Sequence, residues 1–142
     1  MQVIASIDSS SIWKKIFTII LNECTEYQVV FPNGKIDEEN PLIGGKEFFT
    51  NLPKVSVVSS NMMADSSMFY GELNDEIRKQ FFHFLEPTFI GNKSKLWHFS
   101  LLKNEKIYLT CSDFSVCLIE DYEDLRFLLE SQGLEYNKIG DC

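Results

Sequence analysis

The sequence predicts an α+β fold in one domain spanning residues 1–142: a mainly antiparallel sheet with a C-terminal three-stranded meander and about three helices packed on it. Two patterns carry this. The last third alternates apolar and polar residues over three short stretches joined by very short connections, which is the period of an antiparallel meander. Elsewhere apolar residues recur in steps of three and four, the period of helices with one buried stripe. A chain of 142 residues that is 44% hydrophobic and holds twelve phenylalanines can fill one core of ordinary domain size.

Gln2 to Ile7 (QVIASI) reads as a short strand, and Asp8 with the serines behind it offers side-chain oxygens to cap the next helix. In that helix Ile12, Trp13, Ile16, Phe17, Ile20 and Cys24 form the apolar stripe, with Lys14 and Lys15 off it. Tyr27 to Phe31 (YQVVF) has strand composition and meets a turn signal at Pro32-Asn33-Gly34. Residues 32–54 read as a long irregular connection, carrying Pro32, Pro41, Pro53, Gly44-Gly45 and Asp37-Glu38-Glu39, pinned by Phe48 and Phe49. Val55 to Ser59 is a strand, and 60–71 (SNMMADSSMFYG) a second loop. Leu73, Ile77, Phe81, Phe84 and Leu85 make another helical stripe, opened by Asn74-Asp75-Glu76 and ended by Pro87. LWHFSLL (96–102), KIYLTCS (106–112) and SVCLI (115–119) are the meander, and a closing helix over 121–132 stops at Gly133. Three helices over one face leave the other face to a partner, a loop or solvent.

The net charge of −8, from 21 acidic and 13 basic residues, repels phosphate backbones and anionic lipid, so direct nucleic-acid or membrane binding is disfavoured. The N-terminus has no basic stretch followed by an apolar run, and no apolar run approaches the roughly 18 residues of a membrane span, so the expectation is a cytoplasmic protein. Cys24, Cys111, Cys117 and Cys142 lie far apart without a C-x-x-C spacing, which predicts reduced thiols, no zinc cage and no other metal or cofactor site.

Catalytic groups are few. His83 sits in a phenylalanine-rich helix and His98 on the polar side of its strand. A two-residue turn between the first two meander strands would set His98 opposite Cys111, and an imidazole beside a thiol can create a nucleophile. No orienting acid or amide accompanies the pair, and ordinary sheet packing accounts for both residues. Pairing residue 112 with 115 would send Cys111 and Cys117 to opposite faces, which spoils a shared metal site. Gly44-Gly45-Lys46 lacks both the first glycine of a P-loop and the hydroxyl residue after the lysine. The expectation is a protein that is not an enzyme.

The charge asymmetry is more informative. Residues 107–142 hold eight acids (Asp113, Glu120, Asp121, Glu123, Asp124, Glu130, Glu135, Asp141) against Arg126 and Lys138. Asp121 is a good N-cap, and Glu123 and Asp124 fall in the first helical turn, where free amides favour negative charge. A helix N-terminus promotes ionisation of every nearby carboxyl, which is the reverse of what paired catalytic carboxylates need. Capping uses one or two acids, however, and leaves Asp113, Glu120 and Glu130 without a role. An acidic docking surface for a basic protein gives them one, with Tyr122, or Phe69 and Tyr70 from the 60–71 loop, as anchoring area.

A Trp-containing strand (LWHFSLL), a tight turn, a second strand (KIYLTCSD), a third (SVCLIED) and an acidic helix, in a small acidic chain, resemble the immunity proteins of bacterial polymorphic toxin systems, including contact-dependent growth inhibition. The resemblance covers about residues 95–133 and rests on layout. It implies tight, specific neutralisation of a cognate toxin, often a nuclease, and it assigns no residue individually; the acidic C-terminal quarter adds the expectation that the toxin domain is basic. Two rival readings stand beside it: a small-molecule enzyme or ligand-binding domain with a cleft lined by His98, Cys111, Tyr108 and Trp97, and an adaptor that self-associates, as a homodimer for example, through a sheet face or edge.

Overall fold

The computed structural model describes residues 2–4, 10–33, 41–114 and 116–134. Its centre is one sheet of seven strands: β1 (Gln2–Ile4), β2 (Glu26–Pro32), β3 (Ser56–Ser60), β4 (Ser66–Glu72), β5 (His98–Lys103), β6 (Lys106–Ser112) and β7 (Val116–Glu120). The strand order is β1-β7-β6-β5-β2-β4-β3, and every pairing is antiparallel. The helices are α1 (Ser10–Glu23), α2 (Lys46–Thr50), α3 (Asp75–Leu85) and α4 (Glu123–Ser131), with 3-10 turns at Pro41–Ile43 and Glu86–Ile90. The α+β class and the β5-β6-β7 meander are as the periodicity predicts.

Strand alternation sends Tyr27, Val29 and Phe31 of β2, Phe69 of β4, Phe99 and Leu101 of β5, Cys111 of β6 and Ile119 of β7 into one core. The helices close that face with Trp13, Phe17, Ile20, Phe49, Ile77, Phe81, Leu125 and Leu129. Aromatic rings dominate its centre: Phe81 lies 5.3 Å from Phe99, 5.5 Å from Phe49 and 5.6 Å from Tyr27, between ring centroids. The polar atoms drawn into the core are matched. The Trp13 indole N–H donates to Thr88 Oγ1 (2.8 Å), and that hydroxyl donates to the Leu85 carbonyl (2.5 Å). Asn74 caps α3 by accepting from the Ile77 amide (2.8 Å), and Arg78 on its first turn donates to the Leu21 and Cys24 carbonyls that α1 leaves open at its end.

Four expectations need correction. The 60–71 segment is not a loop: β4 starts at Ser66 and forms a hairpin with β3 over a connection of only five residues. Its polar composition hides a strand whose inner position, between β2 and β3, is supplied by its neighbours rather than by its own alternation. The 32–54 connection contains α2, whose first residue Lys46 donates its ammonium to the Pro32 carbonyl (2.6 Å). The α4 N-cap position is Tyr122, with no side-chain capping bond, so Asp121 does not cap the helix.

The fourth correction concerns register. The β5–β6 turn is the two-residue Asn104-Glu105, both left-handed (φ 51° and 67°), which suits a tight hairpin. Between the pairs Leu102↔Ile107 and Leu101↔Leu109, however, Tyr108 is an extra residue on β6, a β-bulge. It shifts all later pairings by one, so Phe99, not His98, opposes Cys111. At the next turn Ser112 pairs with Val116, not with residue 115, which sets Cys111 directly opposite Cys117 on the same face. The proposed cap at Asp8, the strand end at Ile7, the turn at Gly34, the acids at 37–39, and Glu135 and Asp141 lie outside the described residues.

Candidate functional site

The bulge at Tyr108 builds the surface around α4. A bulge re-aims the side chain it displaces; Tyr108 is almost fully buried, and its hydroxyl donates to the Asp124 carboxylate on the first turn of α4. Its ring packs against Tyr122 at 5.8 Å, and the Lys106 ammonium sits 5.2 Å from the centre of the Tyr122 ring. From below, Leu125 and Leu129 fix the helix to the core. The Tyr108 hydroxyl, the Leu125 amide and nearby Lys106 hold the Asp124 carboxyl below its ordinary value, the first of these most strongly. Burial, then the Asp124 carboxylate, pushes the Tyr108 phenol up.

Above this support lies an open depression of about 930 Å³ lined by Lys106, Tyr122, Glu123, Asp124, Arg126, Phe127 and Glu130. Phe127 stands in it 73% exposed. Glu123 and Glu130 are exposed on the same helix, and Arg126 bonds Asp121 at 2.6 Å.

The acids do not all gather here. Asp121, Tyr122, Glu123, Asp124 and Glu130 come together on or beside α4. Asp113 lies at the far end of β7, roughly 17 Å away for five residues of strand. Glu120 alternates with buried Ile119, which puts it on the face away from the helices. Nor do the two aromatic anchors belong to the surface. Phe69 is buried against Phe31 with ring centroids 5.7 Å apart. Tyr70 is exposed but lies on the far face of β4, with three strands between it and β7. Two of the acids at α4 are also engaged, Asp121 by Arg126 and Asp124 by the neutral Tyr108 hydroxyl; the Arg126 cation, with Lys106 near Asp124, makes the field weaker than the count of carboxylates implies.

The residues missed by the sequence reading are Phe127, Arg126 and Lys106. Phe127 had a signal: in DLRFLLE the buried stripe is Leu125, Leu128 and Leu129, and position 127 falls outside it.

The four residues of the rival cleft do not meet. His98 is on the face opposite Cys111, with Nδ1 3.1 Å from Ser112 Oγ. Burial depresses its pKa against the opposing pull of Asp113. Tyr108 faces α4, and Trp97 lies beside His98 with ring centroids 5.9 Å apart. Among the described residues no three His, Cys, Asp or Glu side chains come together as metal ligands, and no helix is long and apolar enough to cross a membrane. No family model, curated protein or solved structure matches the chain.

Proposed function

We propose that this chain is a binding protein of the toxin-immunity class, which neutralises a basic toxin domain by docking it on α4. The observation that carries the reading is Phe127: a large apolar side chain held 73% exposed on a helix otherwise clamped by Leu125, Leu129 and Tyr108, with Glu123 and Glu130 beside it. An apolar anchor ringed by charge is the anatomy of an interface hot spot, and carboxylates on a rigid helix attract a surface built to hold phosphates. Docking of this kind needs no reagent from the inhibitor: it covers the toxin's site and speeds association at low salt.

The test is co-expression with the protein encoded beside this one. Rescue of growth and a purified complex support the reading. The Glu123→Gln, Glu130→Gln double variant should then associate more slowly and with a weaker salt dependence. If neither rescue nor a complex is seen, the reading is wrong.

One observation favours a second reading, self-association as an adaptor. Strand β3 (SVVSS) is uncharged, pairs only with β4 among the described residues, and exposes Val57 and Val58 at 50% and 42%. Edges without charge or proline invite pairing, and a second β3 brings no like charges opposite one another. Sedimentation should show a dimer that Val58→Lys dissociates; a monomer at all concentrations removes this reading.

A further inference from the structure

Cys111 and Cys117 are direct cross-strand partners on β6 and β7. Both are fully buried, and their sulfurs lie 2.8 Å apart. Opposed residues of an antiparallel pair have Cα atoms about 4.5 or 5.5 Å apart, and both spacings fall within the span of about 4.4–6.8 Å that a disulfide bridges. Closing to the bond length of about 2.05 Å asks less than about 1 Å of movement from the sulfurs. Only five residues separate the two positions in sequence.

The surroundings decide how the pair can react. Burial, and the Cys117 thiol beside it, push the Cys111 thiol well above its ordinary range, so inside the closed hairpin it is held protonated and inert. The exchange therefore requires the turn end of the hairpin to open. Among the bonds that hold that end are those from the Phe114 amide to the Trp97 carbonyl (3.1 Å), from the Ser94 amide to the Phe114 carbonyl (3.0 Å), and between Ser112 Oγ and His98 Nδ1 (3.1 Å).

We propose that Cys111 and Cys117 form a reversible dithiol–disulfide couple that staples the β6–β7 hairpin, with a small-molecule disulfide of the glutathione type as oxidant. In the open hairpin one cysteine thiolate attacks a sulfur of glutathione disulfide, forming a mixed disulfide and releasing one glutathione thiolate. The second cysteine thiolate attacks the cysteine sulfur of that mixed disulfide and expels the second glutathione. The protein loses two electrons and two protons, and the two glutathiones leave as thiols. Strand β7 runs through Asp121 and Tyr122 into α4, and β6 carries Tyr108, so the staple joins the two strands that support that helix.

The full-length chain is equilibrated in glutathione buffers of graded redox poise, quenched by alkylation and mapped by peptide mass. The expected product is two hydrogens lighter, links residues 111 and 117, and is missing from Cys117→Ala. Linkage requires that a bond favoured by the fold form more readily in native buffer than in denaturing urea, by at least about tenfold in equilibrium constant for a typical stabilising bridge. An equal or smaller constant in native buffer overturns the proposal, as does a product consisting only of glutathione adducts. Peptide mapping of the unsubstituted chain keeps the test decisive if Cys117→Ala does not fold.

Discussion

Tyr108→Phe removes one oxygen from the contact that holds α4, and its effect can be worked through in pH as well as in energy. The Tyr108 hydroxyl donates to the Asp124 carboxylate, and the ring packing against Tyr122 survives the substitution. A hydrogen bond to a charged group contributes about 1.5–3 kcal/mol when shielded. Asp124 is exposed, which permits water to replace the lost donor, so the expected loss is about 1 kcal/mol, or roughly 3 °C in thermal midpoint. The Asp124 carboxyl is held below its ordinary value of 3.8, chiefly by this bond. A depressed folded pKa contributes stability that is fully present above the unfolded pKa and is lost as pH falls through the folded one. The gap between the native chain and Tyr108→Phe should therefore be constant from neutral pH down to about pH 5 and shrink below about pH 3.8, towards the value of a neutral hydrogen bond. Urea titrations of both chains across that range measure it, and Asp124→Asn completes a double-mutant cycle. A gap that is absent at neutral pH, or that does not change on acidification, refutes the claim that this contact clamps the helix.

Three further outcomes are expected. Phe127→Ala should leave the urea midpoint within about 0.5 kcal/mol of the native chain, since an exposed position carries little folding energy. Because fully burying a phenylalanine contributes about 1.5–3 kcal/mol and 73% of this one is still exposed, the variant should weaken partner binding by about 6- to 40-fold, measured by calorimetry. Thr88→Val leaves the buried Trp13 indole N–H without an acceptor and should cost about 1–3 kcal/mol in a denaturation curve, whereas Thr88→Ser, which keeps the hydroxyl, should cost about 1 kcal/mol or less. Gly45→Ala forces a side chain onto a left-handed residue (φ 83°) with its Cβ 2.7 Å from Leu96 Cδ2, so a thermal scan should register a loss of about 2 kcal/mol or more.

The elements that could be read in advance were those with a local cause. Steps of three and four between Ile12 and Cys24, and between Leu73 and Leu85, define a helix wherever its stripe is buried, and the alternation in the last third defines strands whatever their neighbours. Strand β4 had no such mark. SSMFYGE becomes a strand because β2 and β3 supply backbone partners on both sides. For the site, the acids of α4 were legible as charge in the sequence, whereas Phe127 was missed although the helical period held a signal for its outward position.

Composition and periodicity by themselves determined an acidic α+β chain with a C-terminal meander and a carboxylate-bearing last helix, because these follow from interactions among near neighbours. Only the tertiary structure decided which of those carboxylates share a surface, that Tyr108 is the bulged residue clamping α4, and that Phe99 instead of His98 lies opposite Cys111. A one-residue bulge exchanges the two faces of everything after it, and whether it forms depends on how the whole sheet packs against its helices.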